Sequence, residues 1–310
     1  MERRQTDRHL HARDVRAWRG RDGLCGRRLS NRASFFTNAG GGEQLGGSLL
    51  GGLFDLTGKT AAVIGGASGI GEAVALGCAR QGARVMCLDV NEAAAGKVAA
   101  RAASEGCACE AGALDIRNSA AVDAVFDRLA SQHGLDIVIC TPSINVRKPI
   151  LKYTDDEVSR VLDVNIKGNF NVLRSAGRVM TPRKKGSIIL FSSVRSQVVE
   201  PGQSVYAATK AAIVQMVKTA AAEFGPHGVR VNAIGPGVIE TPLTAPIKAN
   251  KDWYQAYAAK SVFNRWGQPE EMVGPSVFLA SDAASYVTGT VLFADGGWLA
   301  ADGRFTPPGM

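Results

Sequence analysis

The chain has 310 residues, 45% apolar and 21% charged, with a net charge of +8, enough apolar material for a large core and too much for disorder along the whole length. The first 50 residues hold ten Arg, no Lys and five acids, so +5 of that charge lies there and only +3 in the other 260, which points to a basic tail and away from a nucleic-acid-binding domain. No run reaches the ~18 consecutive apolar residues of a membrane-spanning helix, and the charged N-terminus lacks the apolar core of a secretory signal.

Residues 1–52, Arg-rich and then Gly-rich from Gly40 to Gly52, are expected to form a disordered extension with no part in the chemistry. Its five acids count against a mitochondrial transit peptide. The six cysteines (Cys25, Cys78, Cys87, Cys107, Cys109 and Cys140) show no Cys-x-x-Cys spacing. They are expected to be free thiols, with no metal site. The expected compartment is the cytoplasm or an organelle matrix, with a small-molecule substrate and neither nucleic acid nor membrane as partner.

From about Leu53, short apolar runs alternate with amphipathic stretches, the mark of repeated βαβ units. One domain over 53–302 is expected, followed by a tail, 303–310. The first strand reads Thr60 to Ile64. The turn Gly65-Gly66-Ala67-Ser68-Gly69-Ile70-Gly71 follows and leads into a helix from Ile70 to Arg80. Glycines between a strand and a helix permit a tight turn and a close backbone approach to phosphates, and the helix N-terminus adds unpaired N–H groups. Gly65, Ser68, Gly69, Ile70 and Gly71 are therefore candidate dinucleotide contacts. A second strand, Val85 to Leu88, ends at Asp89, placed to accept hydrogen bonds from ribose hydroxyls and to repel a 2′-phosphate. NAD is thus expected over NADP.

Further strands read Ile137 to Cys140, Ser187 to Phe191 and Arg230 to Ile234. Thr154-Asp-Asp-Glu157 is a capping box ahead of one long helix, Val158 to Met180. Within that helix Asn165 is an odd interior residue, suited to holding a water in a proton relay towards Lys210. Ser193 follows the strand Ser187 to Phe191, at the carboxyl end where open α/β sheets bind ligands. Thirteen residues on, Tyr206-Ala-Ala-Thr-Lys210 puts a phenol and an ammonium on one helix face. The cation is expected to pull the Tyr206 pKa towards neutrality for acid–base work on an alcohol/carbonyl pair. Tyr-x-x-x-Lys alone arises easily by chance; the order of Asn165, Ser193, Tyr206 and Lys210 carries the weight. Arg147-Lys148, Arg195 and Arg265 are three cationic spots expected to border the crevice, with Arg147 and Arg195 as substrate contacts for an acid.

From about Phe54 to Trp298 these residues resemble the classical short-chain dehydrogenase/reductase family. The resemblance implies a single doubly wound Rossmann-type α/β domain, a parallel sheet with helices on both faces. It implies Tyr206 as catalytic acid/base, Lys210 as the group that lowers its pKa and binds the nicotinamide ribose, Ser193 on the substrate oxygen and Asn165 on a relay water. It also places Asp115 and Ile116 beside the adenine. Pro236, Gly237, Ile239 and Thr241 then lie in the loop that holds the nicotinamide carboxamide. The run Ser285 to Gly289 with Asp295-Gly296-Gly297 resembles the family's C-terminal signature. Asn145 to Pro149 and Arg265 to Glu271 look like sugar-acid members of the gluconate 5-dehydrogenase type. A 3-oxoacyl thioester reductase, another alcohol dehydrogenase and a non-catalytic dinucleotide-binding protein stay open. A homotetramer or homodimer through the two long helices, Val158 to Met180 and Tyr206 to Phe224, is implied.

Two departures stand out. Ile64 replaces the Thr that opens the family's glycine motif, so a hydroxyl contact is expected to be missing. Cys140-Thr141-Pro142-Ser143 replaces the usual Asn-Asn-Ala-Gly, which bears on cofactor affinity and nicotinamide pose.

Overall fold

The computed structural model describes residues 52–301. The expected extension 1–52, apart from Gly52, the tail 303–310 and Cys25 lie outside the described residues.

Seven parallel strands, β1 (Thr60–Ile64), β2 (Arg84–Asp89), β3 (Cys109–Ala113), β4 (Ile137–Cys140), β5 (Gly186–Phe191), β6 (Val229–Pro236) and β7 (Val291–Ala294), form one sheet. Their order is β3-β2-β1-β4-β5-β6-β7. Ile64 sits opposite Leu88 on one side and Cys140 on the other, so β1 is central and the winding reverses between β1 and β4. The carboxyl ends at such a reversal open a crevice, the ligand position of doubly wound sheets. The five strands expected from sequence are β1, β2, β4, β5 and β6. The two that escaped, β3 and β7, are the sheet's edges. β3 is the run CEAGA, partly exposed, without the continuous apolar signal of a strand buried on both faces.

The connecting helices are α1 (Gly69–Arg80), α2 (Glu92–Ser104), α3 (Ser119–Gln132), α4 (Asp155–Leu162), α5 (Asn169–Met180), α6 (Ser204–Phe224), α7 (Ala245–Lys248), α8 (Lys251–Ala258) and α9 (Val273–Ala280). Alternate strand residues face opposite layers. Ala61 and Val63 of β1 join a core with Val74, Val98 and Val277 from α1, α2 and α9. Ala62 and Ile64 join Phe126, Val172 and Ile213 from α3, α5 and α6. Helices thus cover both faces, as expected.

The capping box forms as read: Glu157 N donates to Thr154 Oγ1 at 3.3 Å and Thr154 N donates to Glu157 Oε2 at 3.1 Å. The single long helix does not. A widened π-type turn, Asp163–Gly168, divides it into α4 and α5, with Asn165 inside the turn. Such widened turns gather at functional sites, where a side chain is needed out of helical register.

Among the described residues no helix is long and apolar enough to cross a membrane. Nor is there any cluster of three or more metal-type ligands among them. Cys78, Cys87, Cys107, Cys109 and Cys140 are free thiols.

Candidate active site

A cleft of about 430 Å³ opens at the carboxyl ends of the central strands. Gly65, Ser68, Gly69, Ile70 and Gly71 line it, with Asp89 from the end of β2 and Asp115 and Ile116 beyond β3. Tyr206 and Lys210 line it as well, with Pro236, Gly237, Ile239 and Thr241 from the end of β6 and the loop that follows. Every residue expected to hold a dinucleotide therefore borders one space.

The glycine turn is sterically committed. Gly65 takes φ +76°, and a Cβ there would come 2.5 Å from Thr141 Oγ1. A Cβ on Gly71 would lie 1.9 Å from the Gly65 carbonyl oxygen. The hydroxyl expected to be missing at Ile64 comes instead from the neighbouring strand end. Thr141 Oγ1 donates to Ile64 O at 2.9 Å and stands 3.3 Å from Gly65 O. The unusual run after β4 thus braces the turn. Its Ser143 reaches the same cleft, where its buried hydroxyl faces Tyr206. At the end of β2, Asp89 Oδ2 accepts from Ala67 N at 3.2 Å and Oδ1 accepts from Asn91 N at 3.0 Å, which fixes its carboxylate. Arg117, the cleft-lining cation beside Asp115, is held by that acid at 2.7 Å.

Ser193, Tyr206 and Lys210 meet in the cleft. Ser193 Oγ accepts from Arg195 N at 3.1 Å, and its hydroxyl faces Tyr206. Lys210 is 2% exposed and donates from Nζ to Phe191 O at 2.8 Å, 5.5 Å from the Tyr206 ring centre. The expected pull of Lys210 on the phenol is not what the geometry gives. Burial holds the Tyr206 pKa above the ordinary phenol value, opposed by the facing Ser193 hydroxyl, the Arg195 charge, the Ser143 hydroxyl and the Arg147 charge. Lys210 spends its donor on the backbone, and burial pushes its own pKa down to about 8.

Asn165 departs from expectation too. It is fully buried and does not border the cleft. Its Oδ1 accepts from Ile144 N at 2.9 Å, and its Nδ2 donates to Ile144 O at 2.9 Å and Thr209 Oγ1 at 3.1 Å. Both amide protons are spent on protein, so the side chain ties the loop after β4 to α6. Its backbone oxygen accepts from Asn169 Nδ2 at 3.1 Å.

A smaller pocket continues from the cleft past Ser193, Tyr206 and Gly237, and Arg147 and Arg195 line it as expected. Sequence reading missed their common partner. Glu200 accepts from Arg147 Nη1, Arg195 Nη2, Gln203 Nε2 and the Tyr257 hydroxyl. An acid between Ser193 and Tyr206 was the available signal. Arg265 lies elsewhere, on an exposed surface, where Glu271 holds it at 2.6 Å. Lys148 pairs with Glu157 at 2.5 Å. Neither lines the cleft or the smaller pocket.

The buried Lys210 has a measurable consequence. Its folded pKa of about 8 lies below the ordinary lysine value of 10.5, so the unfolded chain holds that proton more tightly. Its penalty is therefore fully present below pH 8, about 3 kcal/mol, and vanishes as pH rises to 10.5. Urea unfolding should show the ligand-free protein gaining stability relative to Lys210→Met across that window. Parallel pH profiles for the two proteins would remove burial as the cause.

The family model described as enoyl-(acyl carrier protein) reductase matches residues 65–299. Gluconate 5-dehydrogenase of Gluconobacter oxydans (strain 621H) is 33% identical over 249 residues, 79% of this chain and 96% of that protein. Oxidoreductase UcpA of Escherichia coli (strain K12) is 38% identical over 250 residues, 78% of this chain and 95% of that protein. Among solved structures, a gluconate 5-dehydrogenase of Burkholderia cenocepacia J2315 in complex with NADP and tartrate superposes with a TM-score of 0.79 at 33% identity, covering 81% of this chain and 99% of that one.

Proposed function

The chain belongs to the short-chain dehydrogenase/reductase family, and from that premise we propose that it moves hydride between a nicotinamide dinucleotide and a secondary alcohol or ketone of a sugar-acid type. The observation that carries this reading is that Ser193 and Tyr206 line both the dinucleotide-sized cleft and the arginine-walled pocket. A carbinol carbon between them would have an acid–base pair on one side and a cationic wall on the other.

The residues present fit such a cofactor. The crowded glycine turn leaves backbone where a side chain would block phosphate, and the N-terminus of α1 faces the same space. Asp89 would take the ribose hydroxyls, Asp115 and Ile116 the adenine, and Pro236, Gly237, Ile239 and Thr241 the nicotinamide end. When bound, the nicotinamide supplies the hydride acceptor or donor. In the reductive direction Tyr206, a protonated phenol, gives its proton to the substrate carbonyl oxygen, while Ser193 donates a hydrogen bond to the same oxygen. Lys210, held in place by Phe191 O with its ammonium 5.5 Å from the Tyr206 ring centre, would bind the nicotinamide ribose. Asn165 acts through position, by fixing the loop that carries Ser143.

Within this reading NAD is the preferred coenzyme. Asp89 puts a fixed negative charge where a 2′-phosphate would sit, and Asp115 already occupies Arg117. Purified protein tested against sugar acids, polyols, ketones and 3-oxoacyl thioesters, with NAD and NADP in parallel, should reduce or oxidise nicotinamide best with a sugar acid and NAD. Asp89→Ala should raise the NADP/NAD ratio of kcat/KM about tenfold, a shift of about 1.4 kcal/mol. A wild-type preference for NADP would overturn the coenzyme assignment, and activity with thioesters alone the substrate class. A homo-oligomer through α5 and α6 belongs to the same proposal; Phe170 on α5 is 48% exposed.

A further inference from the structure

The arginine-walled pocket carries more information than its charge. Arg147 and Arg195 border it, while Glu200 stands behind them and accepts from both guanidinium groups. Arg195 is 6% exposed, while the Arg147 and Glu200 side chains keep 26% and 20%, so the arrangement is buried at Arg195 and partly desolvated at its partners. Burial opposes ionisation of Glu200, but hydrogen bonds from Tyr257, Arg147 and Gln203 and the charge of Arg195 hold it below the ordinary carboxylate value. Two cations and one anion leave the wall with a single net positive charge. The guanidinium faces also rest on aromatic rings, Arg147 5.0 Å from the Trp253 centre and Arg195 5.1 Å from that of Trp298, which fixes where they point.

A second polar group at this wall is unmatched. Gln203 must turn its Nε2 towards the Glu200 carboxylate, so its Oε1 faces Asn145, which donates from Nδ2 at 2.9 Å. That relay leaves Asn145 Oδ1 facing away, buried and without a partner among the described residues. A buried acceptor left unmade costs about 1–3 kcal/mol, which a ligand hydroxyl would recover.

We propose that Glu200 and Asn145 set substrate choice in this pocket: Glu200 neutralises one of the two arginines and so selects monocarboxylates over dicarboxylates, and Asn145 Oδ1 accepts a hydrogen bond from a substrate hydroxyl. The inference rests on the dehydrogenase reading and narrows it to hydroxylated monocarboxylic acids. Glu200 is a positioning residue; the arginines touch the substrate carboxylate, and Tyr257 ties α8 to the Glu200 carboxylate.

The test compares a neutral polyol, a hydroxy monocarboxylate, its deoxy analogue and a dicarboxylate of equal carbon number, with nicotinamide absorbance as readout and calorimetric affinity alongside. The wild type should favour the hydroxy monocarboxylate over each of the others. Glu200→Gln should raise the dicarboxylate/monocarboxylate ratio of kcat/KM on the order of tenfold, through KM and affinity and not kcat. Tyr257→Phe, which keeps the carboxylate, should leave that ratio unchanged. Asn145→Ala should erase the preference for the hydroxylated acid over its deoxy analogue. Dinucleotide affinity serves as the folding control, since neither Glu200 nor Asn145 borders the cleft. An unchanged ratio in Glu200→Gln with intact dinucleotide binding, or equal use of the neutral polyol by the wild type, would overturn the inference and leave the dehydrogenase reading standing. No absorbance change with any of the four compounds would sink the dehydrogenase reading itself.

Discussion

Tyr206→Phe should lower turnover by about 10²–10⁴-fold while leaving dinucleotide affinity where it is. The substitution removes one oxygen and keeps the ring that packs 5.5 Å from Lys210. The phenol faces the hydroxyls of Ser193 and Ser143, while Ser193 and Arg195 are fixed independently of it by the bond from Arg195 N to Ser193 Oγ and by Glu200. What disappears is the group that exchanges a proton with the reacting oxygen. Steady-state rates for wild type and variant, together with quenching of protein fluorescence by NADH, separate the two effects. Turnover within a few-fold of wild type would take Tyr206 out of the mechanism. A matching loss of nucleotide affinity would mean that the hydroxyl helps to hold the dinucleotide, and that the fall in rate reports binding and not proton exchange.

The second large effect is expected at Gly71. A methyl group there would stand 1.9 Å from the Gly65 carbonyl oxygen and 2.9 Å from Thr141 Oγ1. The first contact is backbone and cannot swing aside as a side chain would. Strand β1 is held on both sides, so the turn itself must yield. Gly71→Ala should therefore cost about 1–3 kcal/mol of stability and weaken dinucleotide binding at least as strongly as it weakens the fold, because the displaced carbonyl belongs to the cradle. Thermal unfolding with and without NAD measures both. If ligand-induced stabilisation persists at the wild-type size, the glycine turn does not hold the cofactor.

The other expectations fall on single groups, Lys210, Asp89 and Glu200. Their common feature is a charge whose partner is already chosen in the folded chain. Each substitution therefore reports as much on the partner left behind as on the group removed.

The sequence by itself determined the alternating βα architecture, the glycine turn between a strand and a helix, and the phenol and amine one helical turn apart. These signals are local: an apolar run, a turn residue or a four-residue spacing has the same meaning wherever the chain goes next. Tertiary structure alone decided which charges are free. Arg147 and Tyr257 reach Glu200 from 53 and 57 residues away, while Arg265, which reads like a crevice arginine, is spent on Glu271 six residues on. It alone showed that Thr141 supplies the hydroxyl Ile64 lacks, that a widened turn breaks the long helix at Asn165, and that Lys210 gives its proton donor to the backbone and not to Tyr206. Such pairings follow from which strand ends and loops the sheet order brings together, and long-range juxtaposition leaves no periodic trace in the residues that make it.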